Sequence, residues 1–257
     1  MVEHTRTHPR LAEQKPPGRH YSLTAGSLFL PQKLKGPLPP LLVFFHGGSW
    51  LPEVSVARDS RMAVITLQAG AGSAVYDRVF REPGRLLQLI AEAGTVSGLR
   101  FGPVILGGWS AGCGAIRAIL RDQPSYERIS CVIAMDGIHA GYTGGKPGPF
   151  ESQLESSDLE AWLRLARDAV ASNKQLLITH SEIFPGTYAS TTETADWLIR
   201  SLGLKRKAVL EWGPMGTQQL SEVRAGRLSI RGYGGNSAPD HVDQLHSLGE
   251  YLRFIRR

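Results

Sequence analysis

The sequence predicts an α/β fold: a mostly parallel central sheet with helices on both faces. Two observations carry this. Short continuous apolar runs recur along the chain, the mark of strands buried on both sides. Between them lie longer stretches with helical apolar spacing, and strands alternating with helices build parallel sheets. The 257 residues suit one large α/β domain or two small ones, with a substantial core. No internal repeat or core-splitting boundary is visible. Residues 20–257 are therefore expected to form a single domain behind a flexible arm, residues 1–19, rich in proline and charge.

Taken in order, residues 21–30 contain an apolar, β-capable stretch ending at Pro31. Residues 32–40 hold three prolines and read as a connection. Leu41–Phe45 is an unbroken apolar run, as for a central strand. It stops at His46-Gly47-Gly48-Ser49-Trp50. Residues 62–67 offer a second buried strand. Residues 81–93 read as one amphipathic helix, with Leu86, Leu87, Leu89, Ile90 and Ala93 on or near one face. Residues 104–106 and 131–135 are strands, the latter ending at Asp136. Residues 141–149, rich in glycine and proline, form a loop. Leu159, Leu163, Ala166 and Val170 have helical spacing, with Trp162 beside them. Residues 175–179 are another strand. Ser190 or Thr191, with Glu193 nearby, opens a helix to about residue 202. Residues 227–231 form the last strand. Val242, Leu245, Leu248, Leu252 and Ile255 make one stripe on a closing helix, residues 241–255.

Composition narrows the function. The chain is 42% hydrophobic and 20% charged, as in ordinary globular proteins. Its 29 basic and 23 acidic residues give a formal charge of +6. The basic residues are scattered, with small groups at Lys205-Arg206-Lys207 and at Arg253, Arg256 and Arg257. That distribution suits a solvated surface, and no nucleic-acid partner is expected. No apolar run is long enough to span a bilayer, so no membrane association is expected. The first 19 residues show no apolar signal segment, which points to a cytoplasmic location. Cys113 and Cys131 are expected to be buried free thiols.

The most informative stretch is Gly108-Trp109-Ser110-Ala111-Gly112, a G-x-S-x-G pentapeptide between a strand and a helix rich in small residues. Such a turn strains the serine and lifts its hydroxyl above the sheet, and side chains at Gly108 and Gly112 would collide across it. In this context the pentapeptide resembles the nucleophile elbow of the α/β-hydrolase superfamily, from about residue 21 to 255. The resemblance extends to His46-Gly47-Gly48, which is similar to the His-Gly-Gly-Gly motif of esterases and lipases, with Ser49 at the third glycine.

The resemblance implies roles. Ser110 is the nucleophile. The amides of Gly48, Ser49 and Ala111 form the oxyanion hole. His46 braces its loop. The superfamily order of serine, acid, histidine places the base at His241, past the last strand. The acid is Asp136, at the end of a strand after the elbow, with Glu182, after the next strand, as the alternative. The implied fold is an α/β-hydrolase with a small lid or none. The implied activity is a serine hydrolase that cleaves short-chain or aryl carboxylic esters through an acyl-enzyme. A thioesterase, a peptidase or a cutinase-like polyester hydrolase would share the same triad. A non-catalytic binding protein would keep the pocket and lack activity. Trp50, Trp109, Tyr142 and Phe150 are expected to line an aromatic substrate cleft. No metal or cofactor is expected, and the partner is a small-molecule ester.

Overall fold

The structure, a computed structural model, describes residues 10–58, 60–145, 147 and 153–256. The chain opens with a hairpin of β1 (Gly18–Ser22) and β2 (Ser27–Pro31). The single stretch expected over residues 21–30 is thus two strands, reversed where Leu23 N donates to Gly26 O at 3.1 Å. β3 (Leu41–Phe45), α1 (Trp50–Ala57) and β4 (Ala63–Leu67) follow. The helix expected over residues 81–93 is α3 (Arg85–Ser97), and a further helix, α2 (Ser73–Phe80), precedes it. Pro83 and Gly84 part them, Gly84 having a φ of 73°. Then come β5 (Val104–Trp109), α4 (Cys113–Arg121), α5 (Gln123–Arg128) and β6 (Ile129–Met135).

The second half holds α6 (Glu160–Val170), β7 (Gln175–His180) and α7 (Thr191–Ser201). Ser190 and Glu193 form the capping box of α7. β8 (Lys207–Trp212), β9 (Gln218–Ala225) and β10 (Leu228–Tyr233) complete the strands. The expected closing helix is broken into α8 (Ala238–His246), α9 (Leu248–Tyr251) and a final 3₁₀ turn.

The ten strands found among the described residues make one sheet, ordered β1-β2-β4-β3-β5-β6-β7-β10-β9-β8. The six from β4 to β10 are mutually parallel; the antiparallel pairs lie at the two edges. Side chains alternate across the pleat. Leu41, Val43 and Phe45 face a core shared with α2, α3, α4, α6 and α7. Leu42 and Phe44 face the opposite core, shared with α1, α8 and α9. Both cysteines are buried free thiols.

Two expectations are corrected. β8 and β9 are two strands the sequence does not announce: β9 is largely polar, and the apolar residues of β8 lie at the exposed edge of the sheet. Within the expected arm, Arg10 is not loose: its Nε donates to Asp243 Oδ1 at 2.7 Å. Leu11 N donates to His246 Nδ1 at 3.1 Å. Residues 1–9, and Phe150 in the Gly/Pro-rich loop, lie outside the described residues. No helix among the described residues is long and apolar enough to cross a membrane.

Candidate active site

Three neighbouring strands end on one rim of the sheet, and each runs into a non-glycine residue of positive φ. After β3 this is His46 (71°), after β5 Ser110 (50°) and after β6 Asp136 (44°). Such conformations cost about 1–3 kcal/mol each and persist only where the surroundings hold them. The surroundings of Ser110 do so through two glycines. A Cβ on Gly112 would lie 2.1 Å from Phe45 O, and one on Gly137 would lie 2.3 Å from Ser110 O and 2.7 Å from Ser110 N. Backbones of two adjacent loops therefore close on the elbow. Beyond it the chain turns directly into a 3₁₀ turn and α4, whose N-terminus faces the serine.

Asp136 and His241 are brought together: His241 Nδ1 donates to Asp136 Oδ2 at 2.7 Å. Asp136 is only 2% exposed. It also accepts from Ser181 N at 2.9 Å and from Ser181 Oγ at 2.7 Å. Thr191 Oγ1 donates to its other oxygen at 2.6 Å. Burial alone would raise this carboxyl. The hydrogen bond and charge of His241, with the two hydroxyls, outweigh it and hold Asp136 below its ordinary value. Nδ1 being engaged, Nε2 is the His241 nitrogen left for chemistry. Glu182 goes elsewhere: it is exposed, its N donates to Gly235 O at 3.0 Å, and its Oε2 accepts from Gly235 N at 3.2 Å. His180 is occupied too. Thr192 Oγ1 lies 3.1 Å from its Nδ1 and Arg206 Nη1 2.8 Å from its Nε2.

Ser181 and Thr191 escaped the sequence reading. The signal for Ser181 lies in strand register: Met135 pairs with Thr179, so the residue just past β7 lies beside Asp136. Thr191, the first residue of α7, has no such signal.

The aromatic residues are used differently from the expectation. Trp109 sits between two imidazoles, with ring centroids 5.2 Å from His46 and 4.6 Å from His241. Its Nε1 donates to His241 O at 2.9 Å. Trp50 packs edge-on against His246, centroids 5.8 Å apart. Tyr142 is buried, and its hydroxyl donates to Glu193 at 3.0 Å. None of the three lines the cavity described below. His46 does brace its loop: Nδ1 lies 2.9 Å from Tyr76 OH. Burial, then the proximity of His241, lowers its affinity for a proton.

His46 N is engaged with Leu67 O at 3.1 Å. Leu51 N donates to Gly48 O and Glu53 N to Ser49 O, opening α1. The amides of Gly48 and Ser49 therefore precede the helix's own bonding. Ser49 has φ −58° and ψ −32°, a conformation open to any residue, so the missing third glycine strains nothing. Gly48 and Ser49 are exposed, and the cavity wall on that side is His46 and Ala111.

Ser110 opens onto a cavity of two lobes. The larger, about 540 Å³, includes His46, Ser73, Ala111, Arg117 and Asp158 in its wall. The smaller, about 260 Å³, includes Asp136, His241, Ile183, Pro185 and Ala238. Ser110, His139 and Tyr188 line both.

A parallel-centred sheet covered on both faces, with a strained serine at the end of its fifth strand, has the α/β-hydrolase fold. No protein-family model matches the sequence, and no curated protein matches it. Among solved structures it is similar to poly(aspartic acid) hydrolase-1 from Sphingomonas sp. KT-1, with 11% identity, 93% of this chain and 98% of that chain covered, and a TM-score of 0.51. It also aligns with carboxyl esterase 2 from Tuber melanosporum, at 16% identity, 93% and 85% coverage and a TM-score of 0.49. For LpqC, the poly(3-hydroxybutyrate) depolymerase from Bordetella parapertussis, the values are 14%, 90% and 85%, and 0.48. At such identities the likeness defines the fold alone.

Proposed function

We propose that the protein is a serine hydrolase that cleaves carboxylic esters, with Ser110 as nucleophile, His241 as base and Asp136 as acid. The observation that carries this reading is the 2.7 Å hydrogen bond between His241 Nδ1 and a buried, ionised Asp136. It fixes the tautomer whose Nε2 accepts a proton, in a cavity wall shared with the strained Ser110.

In the proposed cycle, His241 Nε2 takes the hydroxyl proton as Ser110 Oγ attacks the ester carbonyl carbon. The carbonyl oxygen becomes an oxyanion facing the amide of Ala111, the expected oxyanion donor that lines the cavity beside Ser110. Collapse breaks the bond to the alcohol oxygen, which leaves with the proton from His241. Water then attacks the acyl-serine, giving its proton to His241, and the carboxylic acid departs as Ser110 regains its own. Lobes of about 540 and 260 Å³ suit a short acyl or aryl ester. Hydrolysis of p-nitrophenyl esters tests the reading. Ser110→Ala is expected to lower kcat on the order of 10⁴-fold or more and to abolish labelling by a fluorophosphonate. Wild-type rates in that variant would overturn it.

A further inference from the structure

The larger lobe contains charge that ester cleavage does not call for. Arg117 Nη1 donates to Asp158 Oδ1 at 2.6 Å, and its Nη2 lies 3.5 Å from Asp77 Oδ1. Its Nε is buried with no partner. The second oxygen of Asp158 accepts from Gly141 N at 2.9 Å. Asp77 also meets Arg81 at 2.8 Å and Arg121 at 3.9 Å. Of these side chains only Arg117 and Asp158 line the lobe, and Arg117 brings it hydrogen-bond donors; outside the lining, Asp77 Oδ1 is buried with no hydrogen-bond partner.

His139 adds a second, independent observation. It lines both lobes beside Ser110, makes no hydrogen bond, and its Nδ1 is closed off from solvent. Its ring rests edge-on against Tyr188, centroids 5.0 Å apart. Burial lowers its pKa to about 4, with His241 and Arg117 acting the same way against the pull of Asp136. The ring is therefore neutral at neutral pH and carries one proton. A proton on the enclosed Nδ1 would be a stranded donor, so it belongs on Nε2, the other ring nitrogen.

The two lobes differ in what they can accept. A leaving alcohol must receive its proton from His241, which lines the smaller lobe with Ile183, Pro185 and Ala238. The acyl group is left with the larger one. Resting on the ester-hydrolase reading above, we infer that the substrate's acyl chain carries a hydrogen-bond acceptor, a carboxylate or carbonyl oxygen, which His139 and Arg117 recognise in the larger lobe. His139 and Arg117 are then specificity-determining residues, and a purely aliphatic acyl chain leaves their donors unmet.

Three p-nitrophenyl esters test this: the half-ester of adipic acid, its methyl ester, and the isostere with an isopropyl group in place of the carboxyl. Wild-type kcat/KM should favour at least one acceptor-bearing ester over the isostere by about tenfold. The half-ester leading means a free carboxylate, and the methyl ester leading means a carbonyl. His139→Leu and Arg117→Met should each bring that ratio down toward one. A wild-type ratio of one or below for both, or a ratio untouched by His139→Leu, overturns the inference while leaving ester hydrolysis standing. Turnover of none of the three by folded protein overturns the hydrolase reading and this one with it. Should the variants fail to fold, competitive inhibition of the wild type decides: adipate or its monomethyl ester must inhibit more strongly than the aliphatic acid.

Discussion

The Trp109 indole donates to the carbonyl oxygen of His241 at 2.9 Å while its ring lies 4.6 Å from the imidazole. Trp109 is bonded covalently to Ser110, so the neighbour of the proposed nucleophile sets the height and tilt of the proposed base. Trp109→Phe keeps a ring and removes the N–H. Steady-state kinetics should show kcat down about fivefold with KM little changed. Trp109→Ala removes the platform as well and should lower kcat by about a further tenfold. Equal kcat for all three proteins would separate the indole from the base.

Asp136 has a depressed pKa in the folded chain. Its contribution to stability is therefore present above the ordinary aspartate value of about 3.9 and lost as pH falls through the lower folded value. Thermal melts across the acid range should show wild type losing stability there, and Asp136→Asn with a shallower slope. The same substitution should lower kcat by about 10⁴-fold at neutral pH, because an amide no longer fixes the His241 tautomer.

Thr191 separates support of the carboxylate from capping of α7, since the cap belongs to Ser190. Thr191→Val keeps the shape and removes the donor to Asp136 Oδ1. The Asp136 pKa should rise, so the acid loss of stability moves to higher pH. At neutral pH the protein should be destabilised by about 2 kcal/mol, read by denaturant unfolding.

Gly137 is where a single methyl group reaches the backbone of Ser110. Its Cβ would sit 2.3 Å from Ser110 O, against backbone that cannot swing away. Gly137→Ala should destabilise the protein by about 1–3 kcal/mol and reduce fluorophosphonate labelling of whatever remains folded. Full labelling at wild-type stability would show that the elbow has room to move.

How much of this was legible depended on which face of each residue the chemistry used. β3, β4, β6 and β7 are buried on both sides, so their apolar runs announce them. β8 lies at the sheet's edge with Leu210 74% and Trp212 79% exposed, so its apolar residues mark no core face. The roles proposed for Ser110 and His241 rest on motif and order. The sequence favours Asp136 over Glu182 only by its place at a strand end; the contacts that bear on the proposed acid come from Ser181 and Thr191, which lie far from it in sequence. Trp50, Trp109 and Tyr142 misled because an aromatic side chain declares its size and not its direction. His139, out of order as a base, had nothing in its sequence setting to mark it as a cavity residue.

His46, Ser110 and Asp136 share a backbone shape that glycine adopts without penalty. Replacing any of the three with glycine would relax the chain and remove a side chain from the rim at once. Evolution toward sturdiness and evolution toward turnover therefore pull in opposite directions at these positions. A descendant released from catalysis should betray itself by glycines there before its hydrophobic interior has changed at all.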